Sequence, residues 1–285
     1  MSEIKNVTVV GSGVLGAQIA FVTAHAGFTV TAWDINDEAV AAATKRFDAI
    51  GSQVAVELEG ASAETVAAAR ERLSITTDVA AAVKDADLVI EAVPENLDLK
   101  RDMWAKIGAA APADAIFCTN SSTLLPSDFA DSTGAPERFL ALHFANHIWI
   151  QNTAEIMPHP GTNLDLLPVI EKFALDIRMV PIVLKKQQPG YVLNTLLVPW
   201  LKAGQYLLAE GIAEPEQIDR DWKNSTGAPK GPFEVMDLVG LRTVVAVGDQ
   251  PGAPEWQKKF LDIAKAMIAE GKTGVESGEG FYKYA

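Results

Sequence analysis

The segment Gly11-Ser12-Gly13-Val14-Leu15-Gly16 constrains this chain more than any other. It directly follows the β-branched run Val7-Thr8-Val9-Val10 and opens an Ala-rich stretch, Val14 to Ala26, of helical character. Strand, glycine turn and helix in that order begin an α/β sheet, and at this spacing the three glycines have separate duties. Gly11 permits the tight turn, Gly13 lets the backbone approach a pyrophosphate, and Gly16 lets the helix lie close to the sheet. Val14 and Leu15 open the helix, whose unpaired N–H groups and dipole attract an anion. The next strand, Thr29 to Trp33, leads into Asp34, where a carboxylate can accept hydrogen bonds from a ribose diol. A 2′-phosphate would be repelled there, and Ile35-Asn36-Asp37 holds no arginine to receive it, so the expected cofactor is NAD rather than NADP. If the glycines served only for turning and packing, an acid in this register would have no role.

Further strands are expected at Leu88 to Ala92, Ile116 to Thr119, Phe139 to Leu142, Glu155 to Met157 and Met179 to Leu184. Helices at Leu97 to Ala109 and Leu164 to Leu175 alternate with them, which predicts an α/β fold with a doubly wound, mostly parallel sheet of the Rossmann type. Residues 37–72 are too long for one crossover helix and are punctuated by Gly51 and Glu59-Gly60-Ala61-Ser62, so an inserted helical hairpin is expected there. After Lys185-Lys186-Gln187 the pattern becomes helical: Tyr191 to Gly211, Pro215 to Ser225, Pro232 to Val247 and Pro254 to Gly271. The expected domains are thus 1–186 and a smaller all-helical 187–285, with the aromatic tail Phe281-Tyr282-Lys283-Tyr284 packed down.

Composition narrows the class of partner. With 37 acidic against 24 basic residues the formal charge is -13, which repels phosphate backbones and anionic lipid surfaces. No nucleic acid and no membrane partner is expected; the substrate is a small molecule. The lone Cys118 cannot form an internal disulfide and suits a reducing compartment. No apolar run nears the ~20 residues of a membrane span, and no basic stretch leads into an apolar signal core. The expected location is cytoplasmic.

Of the four histidines, His25 falls inside the first helix and His159 between two prolines. His143 closes a strand-like run, and strand ends at the carboxyl edge of such a sheet are where ligands bind. His147 is four residues on, but no HExxH pattern exists and no metal is expected.

Several motifs in order then resemble the L-3-hydroxyacyl-CoA dehydrogenases, including the 3-hydroxybutyryl-CoA enzymes. They are the glycine loop, Glu91-Ala92-Val93-Pro94-Glu95-Asn96-Leu97, Asn120-Ser121-Ser122, Leu142-His143-Phe144-Ala145-Asn146 and Ala154-Glu155-Ile156. Pro189-Gly190-Tyr191-Val192-Leu193-Asn194, Gly231-Pro232-Phe233-Glu234 and Gly278-Glu279-Gly280-Phe281-Tyr282 complete the set. The resemblance implies His143 as the catalytic base, Glu155 as its partner carboxylate, and Ser122 and Asn194 as donors to the reacting oxygen. It also implies Glu95, Lys100 and Asn120 around the cofactor, Ser122 and Asn146 at the substrate, and a homodimer. The chemistry fits: oxidising a secondary alcohol needs a base near neutral pH, and a carboxylate on the other ring nitrogen fixes the tautomer. Taken singly, His143 would equally be a bonded core residue and Ser122 the cap of a short helix at Pro126 to Ala130.

Three departures stand out. Ala145 and His147 replace the family's usual aromatic and proline, and Trp149 is expected to narrow the pocket, favouring a short acyl group such as acetoacetyl. Lys230 replaces an apolar residue; the plain reading is a solvated loop lysine and the sharper one a contact for a substrate anion. The hairpin keeps Lys45 and Arg46 but has no lysine or arginine from Phe47 to Leu58, which thins the expected clamp on coenzyme A phosphates. Two alternatives follow, an NAD-dependent dehydrogenase of a free 3-hydroxy acid and a non-catalytic NAD-binding protein; the second has no use for Ser122, His143, Glu155 and Asn194 together.

Overall fold

A computed structural model describes residues 4–249 and 252–284. Its contacts divide the chain into two units, Met1–Val192 and Leu193–Ala285.

The first unit begins with β1 (Asn6–Val10), α1 (Val14–His25) and β2 (Thr29–Trp33). The hairpin follows as α2 (Asp37–Glu57) and α3 (Ala63–Glu71). Each helix starts where a side chain takes up orphan N–H groups: Asn36 accepts from the Ala39 N–H, and Ser62 and Thr65 cap each other reciprocally. The chain continues through β3 (Leu73–Thr76), α4 (Val79–Val83), β4 (Leu88–Glu91), α5 (Leu97–Ala110) and β5 (Ile116–Thr119). It closes with β6 (Phe139–Phe144), β7 (Thr153–Pro158), α6 (Leu167–Asp176) and β8 (Val180–Val183). The sheet order is β3-β2-β1-β4-β5-β6-β7-β8, and every neighbouring pair is parallel except β6 with β7. Chain order reverses between β1 and β4, so a crevice opens at their carboxyl ends, where such sheets bind ligands.

Both faces of the sheet are covered, which is why β4, β5 and β6 are buried throughout and read as continuous apolar runs. One face packs Ile19, Phe21, Phe47 and Phe173. The other packs Trp104, Phe117, Phe129 and Phe139, with Trp104 and Phe139 edge to face at 5.0 Å. Strand β3 and helix α4 were not expected. Leu73-Ser74-Ile75-Thr76 is too short to show a period, and only pairing with β2 makes it a strand.

The second unit contains α7 (Leu193–Ala209), α8 (Pro215–Thr226), α9 (Pro232–Val239), α10 (Leu241–Gly248) and α11 (Glu255–Ala269). The single helix expected over Pro232 to Val247 is broken at Gly240, whose φ of +87° no helix admits. Asp237 accepts from the N–H groups of Phe281 and Tyr282 and from the Tyr284 hydroxyl, all at 2.9 Å. The aromatic tail is therefore packed down, with Phe281 against Phe233. No helix among the described residues is long and apolar enough to cross a membrane.

Candidate active site

The glycine loop lies at the crevice. Gly11 has φ +96°, and a Cβ there would come within 2.8 Å of the Ala92 carbonyl oxygen; a Cβ on Gly16 would collide with the Gly11 carbonyl. Gly13 faces open space, caps α1 without a side-chain acceptor, and no acid stands in the first turn. The N–H groups at Val14 and Leu15 thus begin a helix end able to receive a pyrophosphate. Asp34 is fixed at the end of β2 because Oδ2 accepts from the Ser12 N–H at 3.0 Å and Oδ1 from the Ile35 N–H at 2.8 Å. These features fit a dinucleotide with a free ribose diol. Arg46 reaches back from α2 to donate to the Ser12 carbonyl at 3.2 Å, so it serves this loop; Lys45 is exposed on the same helix.

Beside the loop, β4 ends in an acid that sequence reasoning passed over. Glu91 is fully buried and accepts from Lys100 Nζ at 2.6 Å, the Val93 N–H at 2.8 Å and the Thr119 hydroxyl at 2.8 Å. Lys100, 1% exposed, has its charge matched by Glu91 and, at 3.5 Å, by Glu95. A buried ion pair persists only when its remaining hydrogen-bonding capacity is met, as it is here. The available signal was a single acid closing the apolar run Leu88-Val89-Ile90.

Glu95 gathers the loop after β5. Its Oε1 accepts from the hydroxyls of Ser121 and Thr123 and from the Thr123 N–H, at 2.6, 2.8 and 2.7 Å. Burial pushes its carboxyl up, but these bonds and the Lys100 charge outweigh that and hold it down at about 2. Asn120 ties β5 to β6 by accepting from the Phe144 N–H at 2.9 Å.

This framework presents Ser122 to His143. In the antiparallel β6–β7 pair, His143 and Glu155 are direct cross-strand partners, 4% and 3% exposed. His143 Nδ1 lies 3.0 Å from Glu155 Oε2, and Nε2 lies 3.0 Å from the Ser122 hydroxyl. With the Nδ1 proton directed at the carboxylate, Nε2 is left with the lone pair that can take a proton. Glu155 Oε1 accepts from the Val192 N–H at 2.9 Å, so both carboxylate oxygens are engaged. The phenol ring of Tyr191, another residue given no role from sequence, stacks on His143 with centroids 4.4 Å apart and planes 11° apart.

The remaining expected residues are less concentrated. Asn146 is exposed in the bend after β6. Asn194 is the second residue of α7, in the second unit, where Lys230 is exposed in the turn before α9. Burial raises the nearby Glu234 carboxyl, but the bond from Lys223 and then the charge of Lys230 help bring it below its usual range. Among the described residues no three His, Cys, Asp or Glu side chains gather as a metal site would need.

Trp149 corrects an expectation. Its indole N–H donates to Glu57 Oε2 at 2.7 Å, the same oxygen that His147 Nε2 meets at 2.6 Å, and its ring is buried in the core shared with Ile148 and Ile177. The side chain is committed to the end of α2, and the argument from Trp149 to a short acyl pocket loses its basis.

Comparisons with known proteins identify the family. Residues 6–187 match the family model of the 3-hydroxyacyl-CoA dehydrogenase NAD-binding domain, and residues 190–284 match that of the C-terminal domain. The mitochondrial hydroxyacyl-coenzyme A dehydrogenase of Sus scrofa is 35% identical over 288 residues, covering 99% of this chain and 91% of its own. A solved diketoreductase structure, described for substrate-directed dual catalysis of dicarbonyl compounds, is 53% identical with a TM-score of 0.95 and full coverage of both chains. The (S)-3-hydroxybutyryl-CoA dehydrogenase of Ralstonia eutropha is 29% identical with a TM-score of 0.84, covering 99% of this chain and 100% of its own. With both family models in register across nearly all of its length, this chain belongs to the 3-hydroxyacyl-CoA dehydrogenase family and is an NAD-dependent oxidoreductase.

Proposed function

We propose that His143 and Glu155 form the acid–base pair for interconverting an L-3-hydroxyacyl-CoA and its 3-oxo counterpart; a short acyl group is supported by the likeness to the (S)-3-hydroxybutyryl-CoA dehydrogenase of Ralstonia eutropha and no longer by Trp149. The observation that carries this is the relay from Ser122 Oγ through the buried His143 to the buried Glu155, both links being 3.0 Å. In the oxidative direction His143 Nε2 takes the proton of the C3 hydroxyl while hydride leaves the same carbon. Bound NAD supplies the hydride acceptor. Glu155 holds the ring in the required tautomer and offsets the positive charge it gains. With substrate bound, the Ser122 hydroxyl turns from Nε2 to donate to the reacting oxygen, where partial negative charge is stabilised. Asn194 keeps the assignment implied by the resemblance, as a second donor. Lys45 and Lys230 are proposed contacts for the substrate's anionic portion, and Asn146 a polar contact on the substrate side of β6.

His143→Gln is expected to leave NADH affinity intact and lower kcat by about two to four orders of magnitude, the usual contribution of an acid–base group. Full turnover in that variant removes His143 from the chemistry. A second reading has specific support: the 53% identical relative is described as acting on dicarbonyl compounds, and α2 offers no lysine or arginine from Phe47 to Leu58. A free 3-oxo acid or diketone needs no phosphate clamp. Following NADH absorbance with acetoacetyl-CoA, a free 3-oxo acid and a diketo compound separates the readings, since turnover of only the last two overturns the thioester assignment. We also read the chain as a cytoplasmic homodimer. The dimer rests on the resemblance, and the compartment on the single Cys118, which is buried with its thiol pushed far up by desolvation. Light scattering tests the first.

A further inference from the structure

Tyr191 and the residue after it reach three parts of the relay. Its ring lies on the His143 imidazole, and its hydroxyl donates to the Ser121 carbonyl at 2.7 Å, in the peptide unit that carries Ser122. The N–H of the next residue, Val192, holds Glu155 Oε1. Tyr191 is 1% exposed, yet its backbone has φ +53°, following Gly190 at +79°. A bulky residue in the left-handed region costs free energy and persists only where its surroundings require it.

We propose that Tyr191 is the positioning residue of the relay: its ring stabilises the imidazolium that His143 becomes when it takes the hydroxyl proton, and its hydroxyl fixes the loop bearing Ser122. An electron-rich face stacked on a ring favours the cationic form of that ring. A phenol can fill this place only while neutral, and burial, followed by the charges of Glu95, Glu155 and Glu91, raises its ionisation far beyond the working range. The charges that bear on the phenol are Glu95 from the loop after β4, Glu155 from β7, Glu91 from β4 and Cys118 from β5. Of these, Glu155 is bonded to the imidazole. This inference rests on the acid–base reading of His143.

The test is a comparison of Tyr191→Phe, which keeps the ring, with Tyr191→Leu, which removes it. In Tyr191→Leu, kcat for alcohol oxidation is expected to fall at least tenfold with NADH affinity unchanged. The acid limb of the kcat/KM profile should move to lower pH by about half to one unit, because the imidazolium loses its stacked partner. Tyr191→Phe should keep the limb in place and lose no more than severalfold in kcat. Should the leucine protein fail to fold, Tyr191→Met fills similar space without a ring. A limb that stays put in the ringless variant, or moves as far in Tyr191→Phe, overturns the proposal. An NMR titration of the His143 ring resonances in the folded protein needs no turnover. If His143→Gln proves active, the acid–base reading falls, and the titration still decides whether the stack acts on the imidazole.

Discussion

Buried carboxylates occur in both units and accept from N–H groups in each, but those of the first unit named here also face a basic side chain. In the first, Glu91 faces the ammonium of Lys100 and Glu155 faces the imidazole of His143. In the second, Asp219 accepts from the N–H groups of Phe233 and Glu234 and from the Tyr282 hydroxyl, while Asp237 holds the tail through two N–H groups and the Tyr284 hydroxyl. The desolvation penalty is of the same kind in each case. What differs is whether the partner can change charge. Backbone N–H groups cannot, and the two phenols are driven away from ionisation, first by burial and then by the aspartates beside them. These acids can only hold structure. An imidazole facing a carboxylate can gain and lose a proton, so a buried acid points to chemistry only when its partner is of that kind.

The comparison can be broken most forcefully at Lys100. Lys100→Met leaves Glu91 buried without its counter-charge, and a loss of about 3–5 kcal/mol in unfolding free energy is expected from urea titration. A loss near zero would show that the Lys100 charge is not what holds Glu91 in the fold. Asp237→Asn should cost less, about 1–3 kcal/mol, because the amide retains one acceptor for the tail but no charge. Its kcat, measured well below the melting temperature, should match the parent's; a fall in kcat with unchanged stability would give the tail a role in turnover. The smallest effect concerns Glu95, which is partly open and stands between the two types. Its folded value of about 2 lies below the ordinary 4.5, so the fold favours the carboxylate. That contribution is complete above about pH 4.5 and disappears as pH falls through about 2. The melting temperatures of the parent and Glu95→Gln should therefore differ at pH 6 and converge toward pH 2.5, and a constant gap would show that the charge is not responsible.

Much of the fold was legible because its signals are local. The glycine loop, the inserted hairpin with its break at Glu59 to Ser62, and the alternation of apolar runs with helical segments all act over one or two turns of chain, although Gly51, read as a second break, lies inside α2. Strand β3 escaped because four alternating residues carry no period, and the break at Gly240 escaped because a single glycine inside an apolar helical run is compatible with continuation. Trp149 was misread for a different reason. An aromatic six residues beyond a base looks like a pocket wall until the end of α2 supplies Glu57, which lies 92 positions earlier.

By itself the sequence determined the class of fold and the glycine loop that opens it, and through motif order it singled out His143, Glu155 and Ser122 as candidates, because composition, turn chemistry and motif order are properties of the chain. Tertiary structure alone decided that β7 runs antiparallel to β6 in the register that sets Glu155 opposite His143; a slip of one residue would turn that carboxylate to the other face of the sheet. It likewise decided that Glu91 is paired with Lys100 and that Tyr191, 70 positions from Ser121, lies on the His143 ring. Cross-strand register and long-range packing depend on how distant surfaces fit, and no local pattern encodes that.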